Sequence, residues 1–163
     1  MNHWASAPLL AGLLLIGTAR CGGEDATPQT PEARFAQLGE RVYGSYCITC
    51  HQPGGQGLPG TFPPLRQTTW VEGDKGRLIR LTLNGMKGPL TVHGATYEGI
   101  MPMHGFLSDD QIAAVLTYVR SNFGNDADAI TPEEVAAVRR ANEREEPWTE
   151  AALLEQTGIP GEE

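Results

Sequence analysis

Five consecutive residues, Cys47-Ile48-Thr49-Cys50-His51, restrict this chain more than any other feature it carries. Two thiols three positions apart share one side of a helical turn, and an imidazole follows directly. That spacing suits thioether bonds from both sulfurs to the two vinyl groups of one haem, with the imidazole set under the iron. C-x-x-C-H is the sequence signal for this attachment. Two other uses of a C-x-x-C pair compete with it. A redox dithiol belongs in a βαβ setting, which the surrounding pattern lacks. A structural zinc site needs two further Cys or His at metal spacing, and no second C-x-x-C occurs. The reading is therefore one covalent haem c on Cys47 and Cys50, with His51 ligating its iron.

The flanking sequence predicts how this motif is carried. Thr30-Pro31-Glu32 is a helix start, with Pro at the first helical position and an acid in the first turn. Phe35, Leu38, Val42 and Tyr46 then form one apolar stripe of a helix running into Cys47. Residues 52–65 hold Gly54, Gly55, Gly57 and Gly60 with four prolines, a composition that excludes a regular helix or a central strand. Asp74 caps a short helix to Leu83, stopped by Asn84-Gly85, and residues 86–107 read as loop. Ser108 and Gln111 form a capping box, with Leu107 and Ile112 placed for a hydrophobic staple. The helix they open ends at Gly124. Thr131-Pro132-Glu133-Glu134 opens another helix to about Glu143, and residues 148–156 form a last short one. No convincing strand is found, so the class is all-α with long Gly/Pro-rich loops and a helical C-terminal extension.

His51 leaves the sixth position of the iron to another residue. A thioether there raises the reduction potential and blocks exogenous ligands. Met101, followed by Pro102 in a Gly-rich stretch, is the favoured candidate; Met103 comes second and Met86 third. His93 and His104 are rivals for bis-His ligation, although loop histidines are more often surface groups. Trp70 and Tyr97 have N–H and O–H donors for haem propionates, but core or rim packing is the preferred reading.

An acidic balance, formal charge −8, works against nucleic-acid binding and fits docking on a basic protein surface. Residues 9–17 are nine apolar residues in a row. They are too few to cross a bilayer, which needs about 20 in a helix. They fit the core of an export signal over 1–20. Two cleavage schemes compete: a lipoprotein type that lipidates Cys21, and an ordinary signal-peptidase site at Gly17-x-Ala19. An uncleaved leader acting as an anchor is the remaining alternative. Residues 21–33 form a polar linker. Glu143, Glu145, Glu146, Glu162 and Glu163 read mainly as solvated charge.

Taken together, Cys47-x-x-Cys50-His51, Phe62-Pro63-Pro64-Leu65, Gly99-Ile100-Met101-Pro102, Leu107-Ser108-Asp109-Asp110-Gln111-Ile112, Tyr118-Val119-Arg120 and Phe123-Gly124-Asn125 resemble the class I cytochrome c family. The similarity is to bacterial mono-haem domains serving terminal oxidases or membrane-linked dehydrogenases. It implies a cytochrome c fold over 34–125, with 126–163 extending past the family's usual end. It also implies His51 and Met101 as axial ligands and Pro63 as the carbonyl acceptor for His51. The first and last core helices should cross, with Gly39 and Tyr43 meeting Val115 and Tyr118. The implied function is single-electron transfer between periplasmic or membrane redox partners, without catalysis by the chain itself. The alternatives are a haem-bearing subunit of a dehydrogenase or oxidase, and a peroxidase-like enzyme with a displaceable sixth ligand and His104 as its acid–base group.

Overall fold

The computed structural model describes Met1 and residues 30–161. The export stretch, Cys21, Glu162 and Glu163 lie outside the described residues. Helix α1 (Pro31–Val42) starts where expected. Ala33 N donates to the Thr30 hydroxyl at 3.2 Å, and Pro31 occupies the first position, as capping chemistry favours. The chain stays helical through a wide π-helical stretch, Tyr43–Cys47, into the single turn α2 (Ile48–His51). The stretch widens the turn, so residues 42 and 46 no longer share a face. Tyr43 is 2% exposed while Tyr46 is 47% exposed, and the anticipated stripe therefore stops at Val42.

Helix α3 (Thr69–Glu72) leads to α4 (Lys75–Asn84), capped by the Asp74 carboxylate, which accepts from Arg77 N at 2.6 Å. Most of α4 is buried because it lies between two apolar clusters. Leu78, Ile79 and Leu83 belong to the larger one, with Val42, Tyr43, Ile112, Val115 and Val119. Leu81 belongs to the other, with Trp70, Met86, Val92, Trp148 and Leu153. The buried Arg77 guanidinium donates to the carbonyls of Pro160 (2.8 Å) and Thr69 (2.6 Å) and stacks on Trp70. Its charge is thereby compensated.

Helix α5 (Asp109–Ser121) carries both halves of the predicted capping box, at 2.9 and 3.2 Å, satisfying two amides that would otherwise lack partners. It ends three residues before Gly124, because Asn122 is already extended and Phe123 has φ 62°. Phe123 still packs on Tyr43 and Tyr118, with ring centroids 5.1 and 5.7 Å away. The α1–α5 crossing is as expected for Tyr43 and Tyr118, 5.5 Å apart. At Gly39 the closest neighbour is the Ala114 carbonyl rather than Val115. A β-carbon there would run into that oxygen and stand 2.9 Å from Tyr118 Cβ.

Between α4 and α5 the expectation of loop needs correcting. Residues 86–101 form an antiparallel hairpin, β1 (Met86–Val92) and β2 (Ala95–Met101), so the fold is mainly helical rather than all-α. Its turn is the pair His93-Gly94, with φ 50° and 71°. That is the left-handed backbone a two-residue hairpin connection requires. Three glycines and a proline dilute the alternation that would have announced it.

The extension supplies α6 (Pro132–Ala141), again with a complete capping box, and α7 (Glu150–Thr157). It is not simply a solvated appendage: Ile130 and Val135 enter the larger cluster, Trp148 and Leu153 the smaller. Glu143, Glu145 and Glu146 are less buried and belong to its outer surface. No described helix is long and apolar enough to cross a membrane.

Candidate functional site

The helical run from α1 to α2 delivers Cys47, Cys50 and His51 to one wall of a cleft. A concave, mostly apolar space of this kind suits a sizeable organic ligand. The two cysteines are not bridged. Burial, followed by the neighbouring Cys50, pushes the Cys47 thiol up to about 11. Redox-active dithiols show the opposite shift, towards a stable thiolate. Among the described residues no group of three or more His, Cys, Asp or Glu converges to hold a metal ion, as structural zinc would require.

His51 Nδ1–H donates to the Pro63 carbonyl at 3.0 Å. A carbonyl only accepts, so Nδ1 carries the proton and the lone pair sits on Nε2. Burial holds the imidazole below its usual pKa; the Pro63 bond opposes this and nearby His104 adds to it. The loop that presents Pro63 is built around a glycine. Gly57 has φ 64°, and a β-carbon on it would lie 2.6 Å from the Pro63 oxygen. Only glycine admits the carbonyl here. The turn leaving α2 is pinned by Tyr43, whose hydroxyl donates to Gln52 O at 2.7 Å. Asn125 ties the loop to α5, donating to Leu65 O (2.9 Å) and Val119 O (2.7 Å).

The hairpin forms another wall. Met86, Gly88, Leu90 and Val92 on β1, with Tyr97, Gly99 and Met101 on β2, all line the cleft, as expected for alternate residues on one face of a ribbon. Met86 and Met101 are direct cross-strand partners. Met103 lies outside the lining and is 46% exposed, so Met86, not Met103, is the second thioether at the cleft. The signal that would have ranked Met86 above Met103 is symmetry: it and Met101 are equidistant from the His93-Gly94 turn.

The remaining candidates separate. Trp70 is buried and also lines the cleft, but its indole N–H is committed to Thr91 O at 2.9 Å. Tyr97 stays at the cleft. His93 is exposed and bonds Gln67 O at 3.2 Å. His104 is 8% exposed, contrary to the surface reading, because Tyr46 and Phe106 pack around it and its amide bonds Thr82 O. It does not line the cleft; His51 is the sole His, Lys, Arg, Asp or Glu among the described lining residues. Two thiols, one imidazole with a committed Nδ1, and otherwise mostly apolar walls fit a covalently attached haem.

Residues 36–123 match the family model described as Cytochrome c. Cytochrome c-552 of Thermus thermophilus is 38% identical over 91 residues, covering 53% of this chain and 69% of that protein. The gluconate 2-dehydrogenase cytochrome c subunit of Pantoea cypripedii is 34% identical over 112 residues, covering 64% of this chain but 24% of that one. The cbb3-type cytochrome c oxidase subunit FixP of Bradyrhizobium diazoefficiens is 37% identical over 89 residues, 53% of this chain and 30% of its own length.

Proposed function

We propose, from the premise that this chain belongs to the cytochrome c family and carries one covalent haem c, that it moves single electrons between redox proteins with His51 and Met101 as the axial ligands. When bound, the haem supplies a one-electron iron couple. The protein's share is to hold and shield. Pro63 fixes the tautomer and orientation of His51, as outer partners of metal-bound imidazoles do. The hairpin holds Met101 in the wall of the same cleft. The mostly apolar lining would keep water and ionised groups from a bound haem, which would favour reversible electron exchange over ligand chemistry.

The observation that carries this reading is His51, its Nδ1 committed to Pro63, sharing one cleft with the Met101 thioether. The test is the oxidised spectrum of protein made with haem-attachment machinery. Met101→Ala should remove the weak long-wavelength band of thioether–iron coordination and lower the reduction potential. An unchanged band would refute Met101 as ligand.

A peroxidase-like role is disfavoured, since the proposed acid–base group, His104, does not reach the cleft lining. The names of the Pantoea and Bradyrhizobium relatives support a second form of the same role, a haem-bearing partner of a dehydrogenase or oxidase. Tyr46 and Ile100 line the cleft yet are 47% and 73% exposed. They offer an apolar rim for docking. Export over residues 1–20, by lipidation of Cys21 or by ordinary cleavage, belongs to this proposal because haem is attached outside the cytoplasm. Mass spectrometry of the mature N-terminus distinguishes the two routes.

A further inference from the structure

We propose that Trp148, in the extension beyond the family-matched segment, is a positioning residue for the sixth iron ligand. This rests on the reading of Met101 as that ligand. Trp148 N donates to Gly85 O at 3.0 Å, and Lys87 N donates to Trp148 O at 2.8 Å. These two bonds bracket Met86, so Trp148 makes a parallel bridge to it, and Met86 is the cross-strand partner of Met101.

The side chain adds to what the backbone does. The indole is 4% exposed in the smaller cluster with Met86, a cluster against which the partly buried Met101 packs, while the Arg144 guanidinium covers its ring at 4.4 Å. Further along, Thr91 N donates to Glu150 Oε2 at 3.3 Å, and Leu153 is fully buried in the same cluster. The extension thus holds β1 at both ends.

A two-stranded hairpin is marginal in water by itself. A thioether is a neutral ligand, and its hold on iron depends on how rarely the chain carrying it swings away. A buried residue, bridged to the outer edge of β1, lowers the population of the swung-away state. Family residues alone do not supply it, since the family match ends at residue 123.

The test uses the full-length haem-loaded protein and imidazole as a competitor for the Met101 position. Trp148→Ala should bind imidazole on the order of tenfold more tightly than the parent, within the usual range of couplings between sites. Trp148→Phe keeps an aromatic ring and loses Nε1, which has no hydrogen-bond partner among the described residues; it should stay within about twofold. Parent-like affinity in a Trp148→Ala protein with intact helix content and covalent haem overturns the proposal. If that variant does not fold, hydrogen exchange on the parent decides. Coupling is reciprocal, so saturating imidazole should speed exchange at the Lys87 and Trp148 amides and spare that of Ile112. Unchanged protection at both overturns the proposal. Met101→Ala separates the two levels. A retained thioether band means that the ligand reading has failed. A lost band with parent-like Trp148→Ala means that only the positioning role has.

Discussion

Gly57 and Pro63 approach so closely that a β-carbon on the first would stand 2.6 Å from the carbonyl oxygen of the second. The same oxygen accepts the His51 N–H at 3.0 Å. A glycine six residues downstream of the motif, its own N–H donating to His51 O at 3.0 Å, therefore also sets the acceptor of the histidine ring.

Gly57→Ala should cost about 1–3 kcal/mol from the left-handed backbone alone, before any clash is counted. It should also push the Pro63 carbonyl away from His51. An imidazole that loses its acceptor becomes a weaker donor and favours oxidised iron less, so the reduction potential should rise. Redox titration beside chemical denaturation reads both effects.

Gly39→Ala acts on the fold and spares the cleft. The new methyl meets the Ala114 carbonyl and Tyr118 Cβ, neither of which is a flexible side-chain end. Forcing α1 off α5 should cost about 1–3 kcal/mol, typical of overpacking. The urea midpoint should drop while the spectrum of folded protein stays that of the parent.

Met86→Ala distinguishes the two facing thioethers. Met86 is 5% exposed. Its truncation should destabilise by about 2–5 kcal/mol through the cavity it leaves. The thioether–iron band should survive. Its disappearance in Met86→Ala and persistence in Met101→Ala would reverse the assignment.

Glu134 gives a pH dependence with a definite sign. Its carboxylate accepts from Thr131 N at 2.8 Å and pairs with Lys75 at 3.1 Å. The Thr131 backbone bond chiefly, then Lys75, holds its pKa below the ordinary 4.5. A carboxylate depressed on folding stabilises fully above its unfolded pKa, and the stabilisation is lost as pH falls through the folded value. The stability difference between parent and Glu134→Gln should thus be constant at neutral pH and shrink below about pH 4.5. A gap that widens on acidification would contradict the assignment.

Much of the helical frame is legible in the sequence because caps are local chemistry. Thr30, Asp74, Ser108 and Thr131 each announce a helix start through a side chain that bonds an amide three positions on, and all four do so in the structure. The hairpin is not legible. Its cleft-facing side on β1 reads Met86, Gly88, Leu90, Val92, and a glycine in place of a β-branched residue erases the alternation. Tyr46 escapes the stripe because a π-helical stretch breaks the 3.6 periodicity on which stripe reading depends. At the cleft, Cys47, Cys50, His51, Pro63 and Met101 are all candidates from the sequence, and all five line it. The part Met86 plays in that wall and the bridge Trp148 makes to it are hidden, because pairing across a turn and a bridge from a distant segment leave no local pattern.

The two sides of the cleft hang from different parts of the chain. The histidine side is braced through Gly55, whose missing side chain leaves room for the Phe123 ring, and through Asn125. The methionine side is braced through Trp148 and Glu150. Since neither brace shares a partner with the other, substitutions at Phe123 and at Trp148 should shift the potential of the iron by amounts that simply sum. With His51 and Met101 as the proposed ligands, the redox midpoint then has two separate dials, one for each axial bond.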